Sequence, residues 1–397
     1  MHSATLPNLL YLANVPVECS YHGSALMYRL LQNYPPEKLC IIESLNRSLE
    51  NRRLPGVKYI NFPTCIERAT RTRFAALYSS LSFLRASSWT RRVRQAISPF
   101  QPDAVLSVSH GHLWVTAAAF AQALQIPLHL VCHDEITKTV MHQPWLRSRL
   151  LRVFGDVYHG ADSRLCVSPY MRNDYRARFG VDAEVLYPSR AIDAPRFETP
   201  SEHLTDLPQG LRVAFAGTIN MGGHVALLKS MALSLEGLSG KLLLFGPLSK
   251  EAVAQLGLDA SNIEIRGLLP SNELIHTLRT EADILYAPMS FDPEDHLAMK
   301  TNFPSKLTDY TAVGLPILIQ GPPDSSAVSW ARENAEVAAV VTTEASVVLL
   351  GELERLRTDS AYRINLASRA LVVGNQYFDA TAASQIFHRV LARPAMR

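Results

Sequence analysis

Uninterrupted apolar runs of strand length, separated by longer helical patterns, recur along this chain in two successive series. The first holds NLLYLAN, KLCIIES, DAVLSVS, LHLVCHD and SRLCVS; the second holds LRVAFAG, GKLLLFGP, IEIRG, ADILYAP, LPILIQG and EVAAVV. A parallel strand pair needs a crossover between its members, and a strand covered on both faces loses its polar alternation. The two series therefore predict an α/β chain of two doubly wound, Rossmann-like domains. The expected boundaries are 1–190 for the first domain, 191–210 for a proline-rich and acidic linker, and 211–374 for the second domain. Residues 375–397 read as a last amphipathic helix, set off by Gly374 and expected to return toward the first domain. Ligands bind outside the carboxyl ends of such strands, so the site is expected in a cleft between the domains.

Composition narrows the class. A chain of 397 residues is too long for one ordinary core and suits two. Cys19, Cys40, Cys65, Cys132 and Cys166 are odd in number and never spaced as CxxC, which argues against a zinc ribbon or disulfide framework and for a reducing, cytoplasmic setting. The start, MHSATLPNLLYLANVP, has no basic region before a short, broken apolar run, and reads as a first strand rather than a signal peptide. The longest apolar tract, HLWVTAAAFAQALQIPLHLVC, contains Gln122, Gln125 and Pro127 and fits a buried helix turning into a strand. A net charge of +3 gives no footing for nucleic acid as a partner. GxSxG and a GK[ST]-ended phosphate loop are both missing, which removes the usual hydrolase, kinase and NTPase readings.

Three stretches of the second series can carry chemistry. In KTNFPSKLTDYTAVGLPILI, Pro304 and Ser305 suit the first helical positions and Gly314 an αL cap. A helix start attracts phosphate, Lys306 adds a full charge there, and Asp309 lies three residues further along the same face. A lysine for a diphosphate and an acid for ribose hydroxyls is what a nucleotide requires; a capped surface helix with an ion pair is the plainer alternative. VAFAGTINMGG ends a strand at Gly217, Thr218 and Asn220, where glycine lets backbone approach a phosphate. IEIRGLLPSNELIHTLRTEADILYAP ends one strand at Arg266 and Gly267, before Leu268, and caps the next helix near Ser271.

In the first series, His133 and Asp134 end one buried strand, His110 and His112 follow another, and His22 and Gly23 follow the first. These histidines read as cleft-lining, acceptor-side groups; a metal site built from His110, His112, His133 and His142 lacks clustered carboxylates, and no metal is expected. Residues 68–94 hold the arginines Arg68, Arg71, Arg73, Arg85, Arg91, Arg92 and Arg94 and no acid, interleaved with Phe74, Leu77, Leu81 and Trp89. Such a surface can rest on anionic lipid headgroups, or be a solvated helix whose apolar face packs inward.

Taken in order, FAGTI, IEIRGLLPSNEL, ADILYAP and FPSKLTDYTAVGLPIL, preceded by ADSRLCVSPYMRNDYRARFGVDAEVLYPSRAID, resemble the retaining GT-B glycosyltransferases of family 4, and the resemblance spans nearly the whole chain. It implies that the second domain binds a nucleoside diphosphate sugar and the first an acceptor, a glycan, glycolipid or small molecule, with transfer under retention and no metal or other cofactor. By motif position it implies Ser305 and Lys306 at the phosphates, Asp309 at the ribose, and Arg266, Gly267 and Leu268 beside the base. His133 falls near the transferred sugar and Gly23 under the diphosphate; His133, Lys306 and Asp309 are the candidate catalytic set.

The chain departs from that family twice. Thr301 stands where the family commonly has an acid, with seven residues between it and the acid kept as Asp309, so Thr301, Asn302 or the FDPEDH loop must hold the donor sugar. After Gly217 the family supplies an arginine and then a lysine; here stand Thr218, Asn220 and Gly223, with Lys229 further along. A catalytically silent GT-B protein that binds a sugar nucleotide or a partner, and a sugar-nucleotide epimerase of GT-B fold, are the alternatives left open.

Overall fold

The computed structural model of the chain describes residues 6–19, 22–44, 50–63, 72–140, 142–207, 209–219 and 222–392. Contacts divide it into two units, Met1–Tyr187 together with Thr381–Arg397, and Pro188–Ala380.

The first unit is built on a seven-stranded sheet: β1 (Leu9–Ala13), β2 (Leu39–Glu43), β3 (Lys58–Asn61), β4 (Ala104–Val108), β5 (Leu128–Cys132), β6 (Ser163–Cys166) and β7 (Glu184–Val185). The order is β3-β2-β1-β4-β5-β6-β7, with every pair parallel. The five strands expected from apolar runs are the inner ones. The two that the runs did not announce, β3 and β7, are the edges, where one flank is unpaired and continuous apolar character is not required. Beneath the sheet, Phe154 meets Trp114, Tyr175 and Phe179 edge-on, at ring distances of 5.6, 5.4 and 5.2 Å. Such pairs add about 0.5–1.5 kcal/mol each beyond the area they bury. The last helix, Ala380–Leu391, buries Phe387, Val390 and Leu391, sets His388 against Tyr34, and ties Arg389 to Glu184 at 2.8 Å.

The second unit repeats the plan with β8 (Arg212–Ala216), β9 (Lys241–Phe245), β10 (Ile263–Gly267), β11 (Ile284–Pro288), β12 (Ile317–Gln320) and β13 (Ala339–Val341), in the order β10-β9-β8-β11-β12-β13, again all parallel. Its core joins Val213, Phe215, Leu244 and Tyr286 of the sheet to Leu228 and Met231 of helix Gly222–Glu236 and to Leu349 and Leu353 of helix Ser346–Thr358. In both sheets the strand order reverses beside the first strand, between β1 and β4 and between β8 and β11. Those two reversals are where a crevice opens for a ligand.

Gly374 does not separate two helices. It lies inside helix Ser360–Tyr377, and the chain breaks instead at Phe378 and Asp379. The glycine is there for space: a Cβ on Gly374 would sit 2.2 Å from Arg190 Nη2 and 2.3 Å from Thr311 Oγ1. Arg190 is thereby buried with its guanidinium fully engaged, on the Thr308 carbonyl, the Thr311 hydroxyl and Asn375 Oδ1. Among the described residues no helix is long and apolar enough to cross a membrane.

Candidate functional site

At the reversal of the second sheet, β8 is followed by Gly217, whose φ of 145° is open only to glycine, and β9 by Gly246, whose Cβ would lie 2.3 Å from the Gly217 carbonyl. Two chain ends thus meet backbone to backbone. From β11 comes Ser290, so close to Gly223 that a Cβ there would fall 1.9 Å from its hydroxyl. The helix expected from PSKL begins at Lys306 and ends at Val313, with Gly314 in the αL conformation. It is fixed on the sheet by Tyr310, whose hydroxyl accepts the Ala216 amide at 2.7 Å and donates to the Tyr286 carbonyl. That clamp carries Lys306 to the end of β8, where its ammonium lies 3.8 Å above the centre of the Phe215 ring. Part of the Lys306 side chain is open to solvent, but the ammonium is densely surrounded, and burial pushes its pKa down to about 7. A cation so placed gains charge when an anion arrives.

The other expected residues of this unit divide clearly. Asp309 accepts from the Ser271 hydroxyl at 3.1 Å, at the start of helix Ser271–Glu281. Pro304 and Ser305 form the turn before Lys306, and their carbonyls accept the Leu307 and Thr308 amides. Thr218 is exposed just past Gly217, and Asn220 lies outside the described residues. Arg266 is exposed on edge strand β10 and pairs with Glu264 at 2.9 Å and Glu281 at 3.4 Å, while Gly267 takes a φ of 78° and Leu268 is exposed. Thr301 is fully buried and its hydroxyl donates to the Leu297 carbonyl at 2.8 Å, so that group is engaged within its own helix; Asn302 follows as the helix end. Lys229 is directed away, toward Gly257.

One residue of the same reversal was not singled out from sequence. His224, third in helix Gly222–Glu236, has both ring nitrogens buried without a hydrogen-bond partner. Burial first, and then Lys306, hold its pKa down to about 4, against a smaller opposing pull from Asp295. The signal was the GGH at the helix start, which the adjacent glycines masked as mere loop.

In the first unit the histidines gather by strand ends. Asn14, just past β1, accepts the His112 and Leu113 amides on Oδ1, both at 2.7 Å, and donates to Ser44. This closes the β1–β4 reversal and turns His110 toward the end of β5, where its ring stacks on His133 at 5.6 Å. His133 Nε2 bonds Asp134 Oδ2 at 3.0 Å and His110 Nδ1 approaches the same oxygen at 3.7 Å. Burial pushes the Asp134 carboxyl up, but His133 and His110 together outweigh it and hold the acid well below the usual carboxylate range. These three could offer a cation ligand atoms within 4.8 Å of one another, the only such group among the described residues, though the carboxylate is already committed to His133. Gly23 abuts the same histidine, its Cβ position 3.8 Å from the imidazole. His112 stands apart, buried against Trp89 and pushed down to about 4 by burial, and His142 bonds the Val140 carbonyl. Of His22 only the place, first in helix His22–Leu31, is described.

Glu135 anchors this group from behind. Its side chain is fully buried, accepts the Thr137 amide at 2.7 Å, and pairs with Arg178 at 3.0 Å; Arg178 also bonds Asp174. Backbone position of His133 and Asp134 is therefore set by a charge pair one residue further on.

Residues 52–190 match the sequence model described as Glycosyltransferase Family 4. No curated protein sequence matches the chain. In structure it is similar to Anabaena HepE solved with UDP and glucose, at 14% identity and a TM-score of 0.68 over 97% of this chain and 99% of that one. The α,α-trehalose-phosphate synthase (UDP-forming) of Burkholderia vietnamiensis aligns at 12% identity and a TM-score of 0.67, over 98% and 99%. Sucrose-phosphate synthase of Thermosynechococcus elongatus gives 14% and 0.65, over 97% and 99%. Two all-parallel α/β units with these likenesses are a GT-B fold, in which residues 52–190 are similar to the Glycosyltransferase Family 4 model.

Proposed function

We propose that this chain is a glycosyltransferase that takes a sugar from a nucleoside diphosphate and passes it, with retained configuration, to a hydroxyl acceptor. The observation that carries the reading is Lys306, a partly neutralised ammonium held over Phe215 at the strand reversal, beside glycines that bring bare backbone to the same spot. Charge builds on the leaving diphosphate as the glycosidic bond breaks, and a fixed cation there lowers the barrier by the logic of an oxyanion hole. Asp309 is the group for the ribose, and His133, oriented by Asp134, the group for the sugar and acceptor. The donor's own phosphate oxygen takes the acceptor proton. HepE, solved with UDP-glucose, makes a uracil base the first to try.

Thermal melting against UDP, GDP, dTDP and ADP tests the donor half. At 100 times Kd a ligand adds about 2.7 kcal/mol, a rise of roughly 5–10 °C for a unit of this size. A shift with one base series is the expected result; no shift with any of the four overturns the reading. Donor conversion without an acceptor would instead mark an epimerase.

The acceptor side has its own surface. Helix Ala75–Arg85 buries Phe83, Ser80 and Ser82 on one side and turns a second set of apolar residues outward: Phe74, just before it, is 55% exposed, Leu77 42% and Leu81 49%. Phe74, Leu77, Leu81 and Arg85 share one stripe. Ser80 is held on the inner side, its hydroxyl donating to the Ala76 carbonyl and accepting the Gln143 amide. Arg73, Arg85, Arg91, Arg92 and Arg94 are exposed along the same stretch; Arg68 and Arg71 lie outside the described residues. An apolar stripe among arginines fits an anionic bilayer, at about 1 kcal/mol per arginine near the surface. Flotation with anionic vesicles should recover the wild type and lose the Leu77→Asp, Leu81→Asp double variant. Equal recovery of both, or none with either vesicle charge, removes the membrane as partner.

A further inference from the structure

Between Arg212 and Lys229 the chain has neither lysine nor arginine, although this is the turn that follows β8 at the strand reversal. Lys229 itself points at Gly257. What the turn does carry is His224. Among the described residues it is the one histidine with both ring nitrogens buried and without a hydrogen-bond partner. An imidazole always has at least one N–H to place, so leaving both nitrogens unmatched in the interior is costly unless something else matches them. The groups that face it are Lys306, from helix Lys306–Val313, and Asp295, from the short turn Pro293–Asp295. Ser290 faces the glycine beside it.

We propose that His224 is the second cationic partner of the donor's diphosphate, becoming imidazolium by taking a proton from solvent as the nucleotide binds beside Lys306. The inference rests on the donor-site reading above and adds to it a residue and a proton count. Its physical basis is that neither cation is fully charged while the site holds no anion. Burial holds Lys306 to about 7, and burial and Lys306 hold His224 to about 4. Two like charges in one enclosed place repel, and a diphosphate between them reverses the sign of that interaction for both. Affinity then falls as pH rises, because the protons needed become scarcer.

Calorimetric titration of the full-length protein with UDP and with GDP, in buffers of different ionisation enthalpy, counts those protons. At pH 7.5, where the free nucleotide's own phosphates are already ionised, the wild type should take up between about one and two. His224→Gln keeps the size and a polar end but cannot charge; it should lose about one proton of uptake and bind about tenfold more weakly. A His224→Gln protein with wild-type uptake and affinity overturns the assignment. Wild-type protein that at pH 7.5 takes up only the fraction of a proton Lys306 accounts for overturns it as well, without touching the donor-site reading. If the wild type binds none of UDP, GDP, dTDP and ADP, the donor site itself falls and the role of His224 with it.

Discussion

Replacing Lys306 by methionine is expected to lower kcat/KM by roughly 100- to 1,000-fold, about 3–4 kcal/mol of transition-state stabilisation. Methionine keeps the stem length and a favourable contact with the Phe215 ring, so the fold is expected to melt within about 2 °C of the wild type. The pH profile adds a second reading. Because burial depresses the lysine, its charge is complete below about 7 and lost above it, so wild-type kcat/KM declines as pH rises through that value. The methionine variant should lose the extra steepening that sets in near 7 and keep only the shallower fall that charging His224 gives. A variant within about threefold of wild type, or one that keeps the steepening near 7, would take Lys306 out of the diphosphate site.

Arg178→Met should cost about 3 kcal/mol, the scale for stripping one partner from a buried pair, and lower the melting temperature by roughly 6–12 °C. Glu135 is the reason. Its side chain has no exposure, and the arginine, 25% exposed, is the cation facing it. Burial works against the charge on Arg178, but Asp174 and Glu135 outweigh it and raise its pKa, so the arginine keeps its charge at neutral pH. Combining the change with Glu135→Gln, which keeps an oxygen for the Thr137 amide, should recover part of the loss. Additive losses in the double variant would mean the pair does not hold this turn, and that the arginine acts through Asp174 alone.

The parts of this protein that could be read beforehand are those in which a local pattern has one physical meaning. Inner strands such as LHLVC and LLLF must be apolar on both faces, and they were visible. The edge β7, two residues long, had no such obligation. Gly217, Lys306 and Asp309 fall just past a strand and in the first turn of a helix, as expected, because glycine after an apolar run and PSK before a helical pattern are local marks of those positions. Asn14 gave no sign, because its partners, the amides of His112 and Leu113, are nearly a hundred residues away. Gly374 misled for the same reason: read locally it ends a helix, yet what it accommodates is Arg190, the last residue of the expected first domain. The arginine-rich helix kept two readings because nothing in its spacing tells which face is inward; that depends on Ser80 meeting Gln143.

The helix Ala380–Leu391 completes the core of the first unit after the chain has traversed the whole of the second. In genetic terms the second unit is an insertion, not a C-terminal half. A cut after residue 187 would strip Phe387, Val390 and Leu391 from the core they fill. Any recombination that trades second units between chains of this build must therefore exchange an internal segment at two junctions and keep helix Ala380–Leu391 with the unit whose core it fills.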